Sequence, residues 1–184
     1  MERLKKIIQG CLDNERQSQN ELYKLFASKL YGVCLRYASD HFDAQDMLQE
    51  GFVKVYKNLN DFKGNGSFEG WMKRIFVNHA LEKYRSRFSF VSYDNIENTE
   101  SGSINDDYSP LDALSVKEIL VMVQQLPDQY RVVFNLYIIE GMTHNEIAET
   151  LNIAESTSRS NLARAKSILK DKICFHSKRV EKAI

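Results

Sequence analysis

Two groups of residues have the types and spacing to act on a polyanion. In the C-terminal third, Ser156, Ser160, Arg164 and Ser167 fall at helical spacing, flanked by Arg159 and Lys170. At about 100° per residue these positions share one side of a helix, so short hydroxyls sit among long cations. Such a face suits a DNA groove, where hydroxyls contact phosphate at close range and arginines reach phosphates or guanine edges. An ordinary solvated basic helix has the same composition, so the face alone does not decide. In the N-terminal half, Arg74, Asn78, Leu81 and Arg85 recur at spacings of four, three and four. An amide amid arginines suits single-stranded or partly opened DNA, whose backbone is held electrostatically while a flipped base enters a loop pocket.

A third group is acidic. Asp46, Gln49 and Glu50 come close together on one surface of a helix, suited to a partner bearing basic residues. Asp43, Asp46, Glu50, His41, His79 and Glu82 could together supply metal ligands, but a di-iron site wants paired Glu-x-x-His motifs and neither histidine completes one. His79 lies near an apolar stripe of Phe68, Trp71, Met72 and Ile75 and reads as a core histidine. There is no G-x-S-x-G, phosphate-binding loop or zinc-ligand spacing. No catalytic residue, metal or cofactor is expected.

The elements that must position these groups read as helices throughout. Two prolines and eight glycines leave long segments unbroken, and hairpin signals are sparse. Helices are predicted over about Asn20–Ser39, Asp43–Leu59 and Ser67–Arg87, with Asp43 as the N-cap of the second. Further helices are predicted over Pro110–Gln125, Pro127–Ile139, Thr143–Leu151 and Glu155–Ile173. Phe62-Lys63-Gly64-Asn65-Gly66-Ser67-Phe68 is a flexible glycine-bearing loop ahead of the third helix.

The stretch from Ser89 to Ser109 is polar and lacks an apolar period. The expectation is an all-α chain of two small helical domains, 1–90 and 110–184, joined by a flexible acidic linker at 91–109. Ser109-Pro110-Leu111-Asp112 supplies a cap, a first-turn proline and an acid to open the second domain.

Within that second domain, Gly141 closes one helix and Thr143-His144-Asn145-Glu146 has the form of a capping box. Ile147, Ala148 and Leu151 give the next helix an apolar face, and Asn152 can take the left-handed conformation that ends it. After the sharp turn, Leu162, Ala165, Leu169 and Ile173 point inward with Ser158 beside them. Capping box, small residue, turn and helix together make a helix-turn-helix.

The formal net charge is zero, against nonspecific coating of nucleic acid, but the charges are not evenly spread. Lys63, Lys73, Arg74, Lys83, Arg85 and Arg87 form one basic segment, and Arg159, Arg164, Lys166, Lys170, Lys172, Lys178, Arg179 and Lys182 another. Between them lie Asp94, Glu97, Glu100, Asp106, Asp107 and Asp112. Cys11, Cys34 and Cys174 are odd in number and far apart and are expected to be packing residues. No membrane span or secretory leader is visible, so a cytoplasmic protein without membrane insertion is expected.

Two motifs carry a family resemblance. Asp43-Ala44-Gln45-Asp46-Met47-Leu48-Gln49-Glu50-Gly51-Phe52 is similar to a signature of sigma region 2. Leu126-Pro127-Asp128-Gln129-Tyr130-Arg131, Glu140-Gly141-Met142-Thr143, Glu146-Ile147-Ala148 and Thr157 through Ala165 resemble the C-terminal domain of sigma factors. The chain thus resembles the small, two-domain extracytoplasmic-function (ECF) sigma factors of the sigma-70 family. The resemblance implies that Asp46, Gln49 and Glu50 grip the β′ clamp coiled coil of core RNA polymerase. It implies that Ser67, Arg74, Asn78 and Arg85 serve minus-ten recognition and melting, and that Arg159, Ser160 and Arg164, with Ser156 and Ser167, serve minus-thirty-five recognition. The β flap, promoter DNA and an anti-sigma factor are the further partners it implies, with the acidic linker passing near the RNA exit route. Asn161 stands where the family often has a second arginine, and Ala154 where a serine often caps the recognition helix. A stand-alone helix-turn-helix regulator, dimerising on a palindrome, is the competing reading; it leaves the Asp43–Phe52 motif unexplained.

Overall fold

A computed structural model describes residues 2–88 and 116–181, with side chains at 2–86 and 118–175. The predicted linker and the start predicted at Ser109-Pro110 lie outside the described residues. Every regular element described is helical. The chain divides into two compact units, residues 1–83 and 84–184.

In the first unit, α1 (Glu2–Leu12) packs on α2 (Arg16–Tyr37), which packs on α3 (His41–Lys57). A single 3-10 turn, Leu59–Asp61, follows α3 and touches α1; α4 (Phe68–Phe88) completes the unit. Leu22, Leu30, Cys34, Val55, Met72 and Phe76 are almost wholly inaccessible and make its centre. Gly51 is required there, because a Cβ would lie 2.3 Å from a ring carbon of Phe76. α1 lies outside the helices read from sequence, although Leu4, Ile7, Ile8, Cys11 and Leu12 have the spacing of an amphipathic helix.

The start of α3 also differs from expectation. Asp40, not Asp43, is its N-cap, accepting the Asp43 N–H at 2.8 Å. Asp43 reaches back to accept from the N–H and hydroxyl of Ser39, at 3.0 and 3.2 Å. Asp40 thus caps α3 while Asp43 ties back to the residue before the cap, and the N-cap stands three residues earlier than Asp43.

In the second unit, α5 (Val116–Gln124) and α6 (Asp128–Phe134) pack with α8 (Glu155–Glu181). Met122, Val123, Leu126, Ala165 and Leu169 form one core cluster, with Tyr130 and Phe134 against it. The helix predicted from Pro127 to Ile139 is not uniform: after Phe134 it widens into a π-helical turn, Asn135–Ile139. The Glu140 N–H bonds Asn135 O at 3.0 Å, and Gly141 at φ 71° turns the chain away. α8 continues past the predicted end at Ile173, since no glycine or proline interrupts it. Cys11 and Cys34 are buried, but Cys174 is exposed, so it does not have the packing role expected of it. No described helix is long and apolar enough to cross a membrane.

Candidate nucleic-acid interface

The turn between α7 (His144–Leu151) and α8 is built by local chemistry. Thr143 Oγ1 accepts the Glu146 N–H at 3.3 Å, while Glu146 Oε2 accepts the Thr143 N–H at 2.7 Å. These bonds hold the Glu146 carboxyl below its usual range. At the other end Asn152 is left-handed, with φ 55° and ψ 50°, and the Ile153 N–H closes on Ala148 O at 3.0 Å. Ala154 then precedes α8 with no side-chain oxygen to cap it.

α8 is oriented by what it buries. Ser158, Leu162, Ala165 and Leu169 are its inward residues, and Ser158 is wholly buried. His144 Nδ1 lies 2.9 Å from the Ser158 hydroxyl, tying the two helices of the motif. Its imidazole, stacked on Tyr137, has its pKa lowered by desolvation and then by the Arg159 charge. Asn161 is buried beside the inward stripe and lies off the open face of α8.

The outward face carries Ser156, Arg159, Ser160, Ala163, Lys166 and Ser167, all exposed. Four of the five predicted residues therefore share an open surface. Arg159 forms an ion pair with Glu155 one turn earlier, and the Ser160 hydroxyl donates to Thr157 O at 3.0 Å. Arg164 differs. It is half-buried at the margin of the face, where its Nη1 donates to the Tyr130 hydroxyl at 3.1 Å.

On α4, Arg74, Asn78 and Arg85 are exposed, but Leu81, which shares their angular position, is buried. The face is thus interrupted rather than continuous. Ser67 is exposed and caps α4, accepting the Gly70 N–H at 3.2 Å. Phe62 packs against Phe68 and Trp71, with ring centroids 4.9 and 5.5 Å away. The loop between them is pinned at this aromatic end, while Gly64 and Gly66 take positive φ.

On α3, Asp46 and Gln49 are exposed. Glu50 is exposed too, but its Oε2 lies 2.8 Å from Nε2 of the buried His79 on α4 and 3.8 Å from Lys83. Lys83 also meets Asp43 at 3.2 Å. Of the other side chains weighed as metal ligands, His41 Nδ1 is 2.7 Å from the Tyr31 hydroxyl and Glu82 pairs with Lys54. The inward place of Ser158 follows from helical spacing, but the bonds from His144 to Ser158, Arg164 to Tyr130 and Lys83 to Asp43 each join two helices, and spacing does not reveal them.

Residues 22–88 match Sigma-70 region 2 and residues 116–169 match Sigma-70 region 4, together about two thirds of the chain. The chain belongs to the sigma-70 family. Its similarity runs to ECF RNA polymerase sigma factor SigW of Bacillus subtilis, 28% identical over 180 residues, 92% of this chain and 96% of that protein. It runs also to the ECF RNA polymerase sigma-E factor of Haemophilus influenzae, 25% identical over 177 residues, covering 91% and 93%. Among solved structures, the sigma factor RpoE in complex with the anti-sigma factor NepR from Bartonella quintana aligns with TM-score 0.47 and 20% identity, over 83% and 94% of the two chains. In this ECF sigma factor the α3–α4 pair lies within region 2 and the helix-turn-helix within region 4. The function is that of an RNA polymerase sigma factor, directing transcription initiation.

Proposed function

We propose that this sigma factor contacts promoter DNA at two places and core polymerase chiefly through α3. The observation that carries the reading is α8. Its Ser156, Arg159, Ser160 and Ser167 stand open on a helix whose approach angle is set by a complete capping box and a left-handed turn. These residues, with Arg164, are assigned to the minus-thirty-five element. Ser67, Arg74, Asn78 and Arg85 are assigned to the minus-ten element and to holding the opened strand. Asp46, Gln49 and Glu50 are assigned to the β′ clamp coiled coil.

Domain bounds of 1–90 and 110–184, with an acidic linker at 91–109, fit this division of labour. The exposed Tyr137, Ile138 and Ile139 offer an apolar surface for the β flap. Family membership supports an anti-sigma partner and a cytoplasmic location. The chemistry of RNA synthesis and its magnesium belong to the polymerase; this chain contributes affinity, placement and strand opening.

The test is a footprint of the chain with and without core RNA polymerase on a promoter template. The reading expects protection of two separated elements, and promoter-specific transcripts, only with polymerase present. Tight binding of the chain alone, with no initiation after polymerase is added, would establish a stand-alone regulator instead.

A further inference from the structure

Arg159 and Arg164 are the arginines in the first three turns of α8, and they are held in opposite ways. Arg159 is paired with the Glu155 carboxylate, which neutralises it and competes with any phosphate or base. Arg164 meets a neutral acceptor, the Tyr130 hydroxyl at 3.1 Å, and no carboxylate among the described residues. A phenol oxygen orients a guanidinium without cancelling its charge.

Position makes that orientation matter. Arg164 lies about 80° round α8 from Ser156, so it must reach the groove from the margin of the open face. A free arginine in that place would sample many rotamers and lose them on docking. Tyr130 is well placed to remove that freedom. Its ring packs on the cluster of Met122, Leu126, Ala165 and Leu169, and its own N–H is bonded to Pro127 O at 2.9 Å. With only two side-chain torsions, the hydroxyl is a nearly fixed point. One of the five guanidinium donors is used there, and because the group is planar, anchoring one nitrogen aims the rest.

We propose that Tyr130 is a positioning residue for promoter recognition, presetting the Arg164 guanidinium so that it reads one base position of the upstream element. The inference rests on the reading of Arg164 as a DNA contact. Tyr130 itself touches no base; it acts through Arg164.

The experiment uses holoenzyme reconstituted with the full chain, and a template library randomised in the upstream element. Wild type is compared with Tyr130→Phe, Arg164→Ala and the double variant, and melting temperature is measured for each. Tyr130→Phe keeps the ring and is expected to melt like wild type. It is expected to lose roughly tenfold in preference at the same base position that Arg164→Ala affects. In the double variant the loss should equal that of Arg164→Ala alone. A wild-type profile for Tyr130→Phe, or a loss that adds to that of Arg164→Ala, overturns the positioning role while leaving Arg164 as a contact. A wild-type profile for Arg164→Ala removes Arg164 from the interface, and the inference with it.

Discussion

Nε2 of His79 lies 2.8 Å from Oε2 of Glu50, joining a side chain only 6% exposed to one on the outer surface of α3. Because a carboxylate only accepts, the neutral imidazole carries its proton on Nε2, and Nδ1 is left without a hydrogen-bond partner. Burial, and then the Lys54 charge, hold His79 below its ordinary value of 6.5, against the opposing pull of Glu50. Lys83 adds to the depression, and Glu82 lies 4.0 Å from Nδ1.

The sign of the pH dependence follows from that depression. Below about pH 6.5 the unfolded chain binds the proton more readily than the folded one, so the stability His79 contributes above that pH is lost as pH falls through the folded value. His144 is shifted the same way, so the comparison is between variants. His79→Gln, which can still donate to Glu50, is expected to show a smaller fall in melting temperature than wild type between about pH 7.5 and 5.5. Equal falls would remove His79 as the source.

Glu50 and Asp46 should separate under charge reversal. Asp46→Lys changes an exposed residue and is expected to alter stability by less than about 0.5 kcal/mol while reducing co-purification with core polymerase. Glu50→Lys sets a second cation beside Lys83 and removes the acceptor that His79 Nε2–H donates to, and should cost about 1–2 kcal/mol in addition. Undiminished recovery of holoenzyme with Asp46→Lys would count against α3 as the clamp contact.

Arg131 is buried, and its Nη1 donates to Gln124 O and Leu126 O, each at 2.8 Å, while its other amino group pairs with Asp128. It closes the end of α5 and has no access to DNA. Arg131→Ala is expected to cost about 3 kcal/mol by stranding these acceptors. Denaturant titration measures the loss, and a fall under about 0.5 kcal/mol would contradict the role.

Caps offer a change in both directions. Thr143→Ala should cost about 1 kcal/mol by removing the box at α7, and Ala154→Ser should add about 0.5–1 kcal/mol by capping α8. Thermal melts of the two variants test both signs; an Ala154→Ser protein no more stable than wild type would mean that α8 gains nothing from a side-chain cap.

Features decided within a few residues are legible in the amino-acid pattern. The Thr143–Glu146 box, the left-handed Asn152 and the inward stripe from Ser158 to Leu169 stand where local pattern puts them, because capping and helical period act over one or two turns. The π-helical turn at Asn135–Ile139 is not legible in this way, since the same residues suit a regular helix. Contacts across long separations are hidden for a related reason. Glu50 and His79 are 29 residues apart, and Arg164 and Tyr130 are 34 apart, so spacing presents each acid or arginine as free when its partner lies on another helix. Asp43 has the form of a cap because it is an acid at a helix start, but Asp40 has the same form and stands where the extended backbone lets it accept the Asp43 N–H.

The central claim is that one chain gives polymerase a two-point grip on a promoter. Selective transcription tests it most directly: core RNA polymerase and the purified chain are incubated with a promoter library randomised upstream of a reporter, and the transcribed templates are sequenced. The account predicts enrichment of two conserved elements at a fixed separation, the upstream one altered by Arg159→Ala or Ser160→Ala and the downstream one by Asn78→Ala. Transcripts without enrichment at either element, or enrichment of a single palindrome that the chain binds without polymerase, would contradict it.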